Sequence, residues 1–444
     1  MNKLLAPLGV FLLLVLSAPD LFAQEAAGPN PGNTAWMLTA TLLVLLMTIP
    51  GLSLFYGGLV RSKNILSVLM QCFFITAVMS ILWVVCGYSL AAGTSTEGFL
   101  GNFFGDFENL FLGELKLDSG DDIPDSVFIT FQMTFFIITP ALIVGAFAER
   151  MKFSAVLIFT ILWALISYCP VWHMAWGGGL FDGAGDGNFL MAAKTAAIDF
   201  AGGTVVHINA GIAGLVACIM LGKRKGYPES LIAPHNVPYT VIGAALLWVG
   251  WFGFNAGSEL AADDVAGYAM LTTQIATAAA VIAWVIVEWL INGKPTAVGA
   301  ATGAVAGLVA ITPASGSTDV MGALIIGLAS GAICYVCATS LKRKFGYDDS
   351  LDVFGVHGIG GIVGAILTGV FIREGWEHPT HGPIEGGMGQ AWIQAKAVLF
   401  TIVWSAIAAV IALFVAKLTV GLRVSDNEED NGLDQGSHGE SAYS

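Results

Sequence analysis

Residues 198–215 read IDFAGGTVVHINAGIAGL, a small and apolar stretch that nevertheless carries Asp199 and His207. Residues 349–364, DSLDVFGVHGIGGIVG, repeat its pattern. Both segments read D-x7-H-x3-G-I-x-G, so His207 corresponds to His357. The shared pattern predicts two copies of one structural unit, each with a histidine inside an apolar segment.

The composition is typical of a protein embedded in a membrane. Of the 444 residues, 56% are apolar and 11% are charged, whereas a soluble protein carries about a quarter charged residues. The apolar residues form continuous blocks of roughly twenty, the length of a helix that crosses a bilayer. Apolar and polar residues do not alternate within these blocks, which argues against a transmembrane barrel. We therefore predict an all-α polytopic membrane protein.

The blocks predict eleven transmembrane helices. We expect them at 34–58, 65–92, 126–148, 154–177, 198–222, 236–257, 266–292, 295–312, 319–341, 353–372 and 394–421. Lysine and arginine are enriched in cytoplasmic loops. The odd-numbered loops hold eleven of these residues and the even-numbered loops three. The odd-numbered loops and the C-terminus are therefore predicted to face the cytoplasm.

The N-terminus reads as a cleaved secretory signal over residues 1–23. It combines Lys3, a short apolar core from Leu8 to Leu16, and a small-residue site ending at Ala23. The core is too short to span a bilayer. Cleavage would leave the mature N-terminus outside; an uncleaved anchor is the alternative. The rest of the chain divides into a helical domain over 24–421 and a polar, acidic tail over 422–444 that reads as flexible.

The two repeat copies open the fifth and tenth predicted helices. An odd number of helices per copy turns the second copy upside down in the membrane. Inverted repeats with a site between them near the midplane are a recurrent transporter design. We expect His207 and His357 about eight residues inside their helices, roughly 12 Å from opposite faces. The two imidazoles are thus predicted to meet near the bilayer centre.

A pair of imidazoles in an apolar bore suits proton relay, because neutral imidazole both donates and accepts a hydrogen bond. An ionisable group at this depth is costly and points to function; the alternative is a neutral histidine bonded to a neighbouring helix. Asp199 and Asp349 stand where a carboxylate caps the first N–H groups of a helix. A metal site is not expected, since no third ligand is suitably placed.

Neither a cofactor nor enzyme activity is predicted. A haem between the histidines would need room that closely packed Gly/Ala-rich helices do not leave. Cys334 and Cys337 form a C-x-x-C inside an apolar block without a second pair. We interpret these cysteines as packing residues.

Aromatic side chains beside a hydroxyl are predicted on the outer side. They are Phe135, Trp176 and Ser258, in FQMTFF, HMAWGGG and WFGFNAGSE. An aromatic face attracts a cation, and a hydroxyl accepts its N–H bond. This combination suits a small ammonium-like cation. Ordinary interfacial aromatics are the alternative.

From about residue 33 to the tail, the chain resembles the ammonium transporter (Amt/Mep/Rh) family. The specific stretches are FYGGLVRSKN, DFAGGTVVHINAG, GWFGFNAGS, DDSLDVFGVHG and SHGESAY. Phe135 and Trp176 keep the pattern of the bacterial Amt branch. The segment between Trp176 and Asp199 looks like an insertion relative to common bacterial members.

The resemblance implies roles for single residues. Phe135, Trp176 and Ser258 would form an outer recruitment site, and Phe135 and Phe254 an aromatic gate. His207 and His357 would be the paired pore histidines. Asp199 would take part in substrate handling and deprotonation. It also implies a homotrimer in the cell inner membrane with one path per subunit. The tail resembles those that receive a PII-type regulatory protein, and no nucleic acid partner is expected.

These inferences predict electrogenic ammonium uptake. Ammonium would be recruited outside and deprotonated, ammonia would cross an apolar pore, and the histidines would relay the proton. Three alternatives remain open: a passive channel for ammonia or carbon dioxide, an ammonium sensor that signals through the tail, and an intramembrane redox enzyme.

Overall fold

The computed structural model describes residues 28–116, 122–183, 186–229, 233–379 and 381–443. Within these ranges, eleven apolar helices form one bundle. They are α1 Pro31–Leu59, α2 Ser62–Ala92, α3 Asp125–Phe147, α4 Phe153–Trp176, α5 Gly203–Leu221, α6 Val237–Glu259, α7 Asp264–Asn292, α8 Ala297–Ile311, α9 Val320–Phe345, α10 Phe354–Val370 and α11 Met388–Thr419. Nine are long and apolar enough to cross a membrane; α8 and α10 are shorter. The helical polytopic membrane fold is confirmed, and the predicted signal over 1–23 lies outside the described residues.

Wide π-helical turns interrupt the regular helices. One such turn opens α5 at Gly203–Ile208 and another opens α10 at Phe354–Gly358. Helices α4 and α9 also share a turn of this kind, at Ala164–Tyr168 and Cys337–Leu341. Turns of this kind occur frequently at functional sites. Here the first two carry the histidines of the sequence repeat.

Small elements lie outside the apolar helices. Strands β1 Glu377–His378 and β2 Gly382–Pro383 form an antiparallel hairpin. In the tail, α12 Asp426–Asn431 is followed by a π-helical turn over Asp434–His438.

The prediction of a flexible tail was wrong over these elements. Ser425 and Glu428 form a capping box that starts α12. The tail then buries Leu433 and Asp434. The Leu433 N–H donates to Asn64 Oδ1 at 2.8 Å, and the Ser67 N–H donates to Asp434 Oδ1 at 2.8 Å. Specific contacts with the start of α2 therefore order a segment that its polar composition alone would leave unfolded.

Candidate functional site

His207 and His357 meet inside the bundle. Their Nδ1 atoms are 3.4 Å apart, and their rings lie 22° from parallel with centroids 5.4 Å apart. Both side chains are buried, at 1% and 3% exposure. A hydrogen bond between two Nδ1 atoms requires one donor and one acceptor, so the neutral pair holds opposite tautomers. Exchanging the two tautomers reverses the direction of this bond.

Glycine lets the two helices approach at the histidines. A Cβ on Gly211 would lie 2.2 Å from the backbone nitrogen of Gly358, the residue after His357. A Cβ on Gly361 would lie 3.1 Å from the backbone nitrogen of Ile208, the residue after His207. The glycine of each repeat copy thus makes room for the other copy's histidine turn.

Aromatic rings pack against the His207 side of the histidine pair. Phe254 and Trp251 both stack on His207, with centroids at 5.8 and 5.3 Å and ring planes within 22°. Phe135 lies against Phe254 at 4.3 Å. Phe135 and Phe254 are almost completely buried, at 1% and 0% exposure. The rings form an apolar layer that a hydrated ion enters only by losing its water.

Trp176 stands at the other edge of this layer. Its ring meets Phe135 edge-on, at 6.4 Å and 89°. Ser258 lies one helical turn beyond Phe254, and its Oγ donates to the Phe254 carbonyl at 2.8 Å. Trp176 and Ser258 are partly exposed, in contrast to Phe135. The structure thus places Phe135 in contact with both Trp176 and Phe254.

Asp199 caps α5 with its whole carboxylate. Oδ1 accepts from the N–H groups of Gly202 and Gly203 at 3.0 and 2.6 Å, and Oδ2 accepts from Thr204 and Val205 at 2.8 and 3.0 Å. Gly202 supports this geometry with a φ of 110°, which favours glycine. The Trp176 indole N–H donates to the Asp199 carbonyl at 2.7 Å. One residue therefore connects the Trp176 ring to the helix that carries His207.

The histidines lie nearer their helix starts than the sequence predicts. Helix α5 starts at Gly203 and α10 at Phe354, so His207 is the fifth helical residue and His357 the fourth. The prediction of about eight residues was wrong because it counted from the aspartate of each repeat copy and not from the first helical residue. The residues after each aspartate instead form the loop that brings its carboxylate to the helix N–H groups.

Asp349 caps α10 more weakly. Its Oδ2 accepts from the Phe354 N–H at 2.8 Å. Its buried Oδ1 has no hydrogen-bond partner among the described residues. The repeat therefore preserves the position of the aspartate but not its full set of donors.

Trp251 and Thr312 contribute to the site without having been predicted from the sequence. Trp251 stacks on His207, and its indole N–H donates to Thr312 Oγ1 at 2.9 Å. The signal was the spacing of Trp251, three residues before Phe254, which places both rings on one face of α6. Thr312, at the end of α8, had no comparable signal.

Asn209 was also missed. Its Nδ2 donates to the Val205 carbonyl at 3.2 Å, inside the turn that carries His207. Its Oδ1 accepts from Ser167 of α4 at 2.7 Å, and Ser405 of α11 donates to its backbone carbonyl at 2.7 Å. This buried amide therefore ties three helices together beside the histidine.

Buried charges cluster where the tail meets the bundle. Glu149 accepts from Arg61 Nε and from an Arg224 guanidinium nitrogen, both at 2.9 Å. Arg224 also pairs with Asp348 at 2.8 Å, and Arg423 of the tail pairs with Glu429 at 2.7 Å. We refer to Arg61, Glu149, Arg224, Asp348, Arg423 and Glu429 as the tail-side network.

The pKa values of two carboxyls in this network are lowered. Burial alone would raise the pKa of Glu149, but the charges of Arg224 and Arg61 outweigh burial and hold it below its ordinary value. Burial likewise opposes the lowered pKa of Asp348, where the hydrogen bonds and charge of Arg224 prevail.

Comparisons with known proteins identify the family of this chain. The sequence model of the Ammonium Transporter Family matches residues 35–443. An ammonium transporter of Aquifex aeolicus is 48% identical over 434 residues, which is 98% of each chain. The crystal structure of Saccharomyces cerevisiae Mep2 superposes with a TM-score of 0.80 at 33% identity, over 92% of this chain and 93% of that one.

A solved Sensor Amt Protein gives a TM-score of 0.82 at 30% identity, over 92% of this chain and 98% of that chain. The family model matches the chain from the first apolar helix to the tail, and the 48% identity to the Aquifex aeolicus protein covers almost the whole length of both chains. The chain belongs to the ammonium transporter family.

Proposed function

We propose that the protein transports ammonium across the cell inner membrane and separates the proton from ammonia on the way. The observation that carries this proposal is the buried contact of His207 and His357 at 3.4 Å beneath a layer of aromatic rings. An ammonium ion that enters this layer loses its water, and desolvation strongly disfavours the charged form. Neutral ammonia crosses such a layer at much lower cost.

Recruitment takes place outside the Phe135–Phe254 gate. Phe135 and Trp176 present aromatic faces to the cation, and the partly exposed Ser258 hydroxyl accepts one of its N–H bonds. Passage between the two tilted gate rings requires that the cation first lose its proton. Asp199 supports this step through its backbone carbonyl, which holds the Trp176 indole, and through the helix that its carboxylate caps.

The proton follows the histidines. One imidazole accepts a proton while its neighbour releases one, and the bond between the Nδ1 atoms reverses direction. Trp251, held by Thr312, stacks on His207 and fixes the plane of its ring. Potassium has no proton to release, so the same pathway rejects it.

The membrane arrangement proposed for this function has eleven crossing helices in a five-plus-five inverted repeat. In support, α8 and α10 are apolar and lie within the bundle, and α5 and α10 each begin with a π-helical turn that carries the histidine of its repeat copy. Loop charges favour a cytoplasmic C-terminus and, after cleavage of residues 1–23, a periplasmic N-terminus. The transport domain is then 24–421, and three copies assemble as a homotrimer.

Residues 422–444 are proposed to act as a regulatory tail that presents a surface to a PII-type protein. The Glu429 carbonyl of the tail accepts from Arg61, in the loop after α1, at 3.5 Å, and the Asp430 carbonyl accepts from Lys63, at the start of α2. A partner that moves the tail therefore also changes its contacts with the residues that join α1 to α2.

Ammonium-evoked current in liposomes that contain only this protein tests the transport proposal. Electrogenic transport predicts an inward current on a solid-supported membrane, which saturates with ammonium concentration. A passive ammonia or carbon dioxide channel predicts a change of internal pH without current. The absence of both signals from folded protein would refute transport.

A sensor is the second candidate, favoured by the likeness to the solved Sensor Amt Protein. Deletion of residues 425–444 separates the two functions. A transporter regulated by its tail still conducts after the deletion. Loss of signalling in cells with unchanged current in liposomes would assign the tail to a sensor role.

A further inference from the structure

Two glutamines of α11 contact the segment that leads into Asp199. Gln390 and Gln394 lie one helical turn apart, and both residues are buried, at 6% and 2% exposure. Burying a side-chain amide is costly unless the amide is hydrogen-bonded. The partners of these two amides therefore show which part of the chain they hold in place.

Gln394 uses all the hydrogen-bonding positions of its amide. Its Oε1 accepts from the Ile198 N–H at 2.6 Å, and its Nε2 donates to the Ile198 carbonyl at 2.7 Å. Its Nε2 also donates to the Ala365 carbonyl at 3.1 Å, and its Oε1 accepts a longer bond from Gln390 Nε2 at 3.4 Å. A side-chain amide offers two donor and two acceptor positions, so this set of partners is complete and determines how the amide is oriented.

The segment before α5 depends on such partners, because residues 197–200 belong to no helix or strand. Buried backbone groups outside regular structure need hydrogen bonds from elsewhere in the chain. Gln394 serves both backbone groups of Ile198, and Gln390 Nε2 donates to the Ala196 carbonyl at 2.8 Å. The Trp176 indole then serves the Asp199 carbonyl at 2.7 Å. Side chains thus hold the backbone on both sides of the aspartate.

Gln394 also joins the two copies of the repeat. Ile198 directly precedes Asp199, the capping residue of α5, whereas Ala365 lies in α10, eight residues after His357. One amide therefore connects the aspartate loop of the first copy to the histidine helix of the second copy. A shift of this amide would change the place of Asp199 relative to the paired histidines.

We propose that Gln394 is a positioning residue for ammonium transport. By holding the Ile198 backbone, it fixes the Asp199 carboxylate at the start of α5. It also fixes the Asp199 carbonyl, which receives the Trp176 indole at the recruitment site. Gln394 acts through these two residues. This role rests on the proposed function, because Asp199 and Trp176 receive their parts in transport there.

Gln394→Met tests the role, because methionine has a similar length and no amide. Ammonium-evoked current is recorded from liposomes that contain the full-length protein. The maximal current is expected to fall about tenfold or more, since a misplacement of roughly 1 Å can reduce a rate about a hundredfold. The half-saturating ammonium concentration is expected to rise about two- to fivefold, the loss from one misplaced cation–π contact. A smaller amount of folded protein would lower the maximal current alone.

Gln71→Met is the matched control. Gln71 of α2 is equally buried, at 2% exposure, and its Nε2 donates within its own helix, to Ser67 Oγ at 3.2 Å. Its half-saturating ammonium concentration is expected to equal that of the wild type. Equal half-saturating concentrations in the two glutamine variants would overturn the role of Gln394.

Hydrogen exchange of the purified protein without ammonium tests the contact independently of transport. The Ile198 amide is expected to exchange faster in Gln394→Met than in the wild type, and at the wild-type rate in Gln71→Met. Unchanged exchange in Gln394→Met would refute the contact, whereas absence of current from the wild type would refute transport and leave the contact standing. If Gln394→Met does not fold, Gln394→Glu replaces it in the current measurement, because glutamate keeps the acceptor for Ile198 and loses both N–H donors.

Discussion

At the scale of single residues, the site depends on how a few polar groups are satisfied inside an apolar bundle. His207 and His357 bond to each other, and Asp199 bonds to four backbone N–H groups. A buried polar group without a partner costs roughly 1–3 kcal/mol. The repeat identified these residues because an ionisable side chain rarely occupies matching places in two apolar segments. Trp251 and Thr312 were missed because single rings and hydroxyls are common in apolar helices.

Asp199→Asn is expected to destabilise the protein by about 2 kcal/mol and to reduce ammonium current. The amide keeps one acceptor oxygen, but its NH2 group cannot accept from the two N–H groups that the second carboxylate oxygen now serves. Asp349→Asn is the matched control. Its Oδ1 accepts no hydrogen bond from the described residues, so a smaller loss is expected. Thermal unfolding of both variants measures the difference; equal losses would contradict the capping argument.

At the scale of helices, the close crossing of α5 and α10 determines where the histidines meet. Each crossing residue is a glycine, and each glycine follows its histidine by four positions. The sequence pattern was therefore sufficient to predict this contact. It was not sufficient to predict the first residue of each helix, because the backbone between the aspartate and the helix depends on which N–H groups the carboxylate reaches.

Gly211→Ala tests the crossing. The added Cβ would lie 2.2 Å from the Gly358 backbone nitrogen, so the helices must separate. We expect loss of ammonium current and a lower melting temperature. Gly267→Ala, at a helical glycine of α7 with open space around its Cβ position, is the control. Alanine is the better helix former there by up to about 1 kcal/mol, so no destabilisation is expected. A Gly211→Ala protein with normal current and stability would contradict the close-crossing account.

At the scale of the whole molecule, the tail-side network joins the loops to the tail. Composition predicted the membrane fold, because continuous apolar blocks of this length commonly form membrane-spanning helices. It did not predict the ordered tail. The acidic residues of that segment suggested solvation, whereas Glu429 and Asp434 are buried and accept from the backbone N–H groups of Lys225 and Ser67, in other parts of the chain. Long-range pairing of this kind has no local sequence signal.

Glu149→Gln is expected to cost roughly 1–3 kcal/mol, because the buried Arg224 then keeps only Asp348 as its carboxylate partner and the partly exposed Arg61 loses its own. Asp430→Asn is the control: Asp430 pairs with Lys225, but its side chain is 58% exposed, so a cost below about 1 kcal/mol is expected. Denaturant unfolding and protease digestion of the tail measure both variants. Equal effects would show that the network does not hold the tail.

Acid should release the same network. The pKa of Glu149 is lower in the folded protein than in the unfolded chain. Its stabilising contribution is therefore complete above the unfolded value of about 4.3 and is lost as the pH falls through the lower folded value. The melting temperature should fall on acidification below about pH 4. The fall should be smaller in Glu149→Gln, and an identical pH profile in that variant would contradict the assignment.

The central claim is that the paired histidines separate the proton from ammonia and thereby reject potassium. Currents evoked by ammonium and by potassium in liposomes with the wild type and with His207→Asp and His357→Glu variants test it most directly. A carboxylate and its water can hold a cation where a neutral imidazole cannot. The account predicts no potassium current in the wild type and a potassium current in the variants. Unchanged rejection of potassium in folded, ammonium-conducting variants would contradict it.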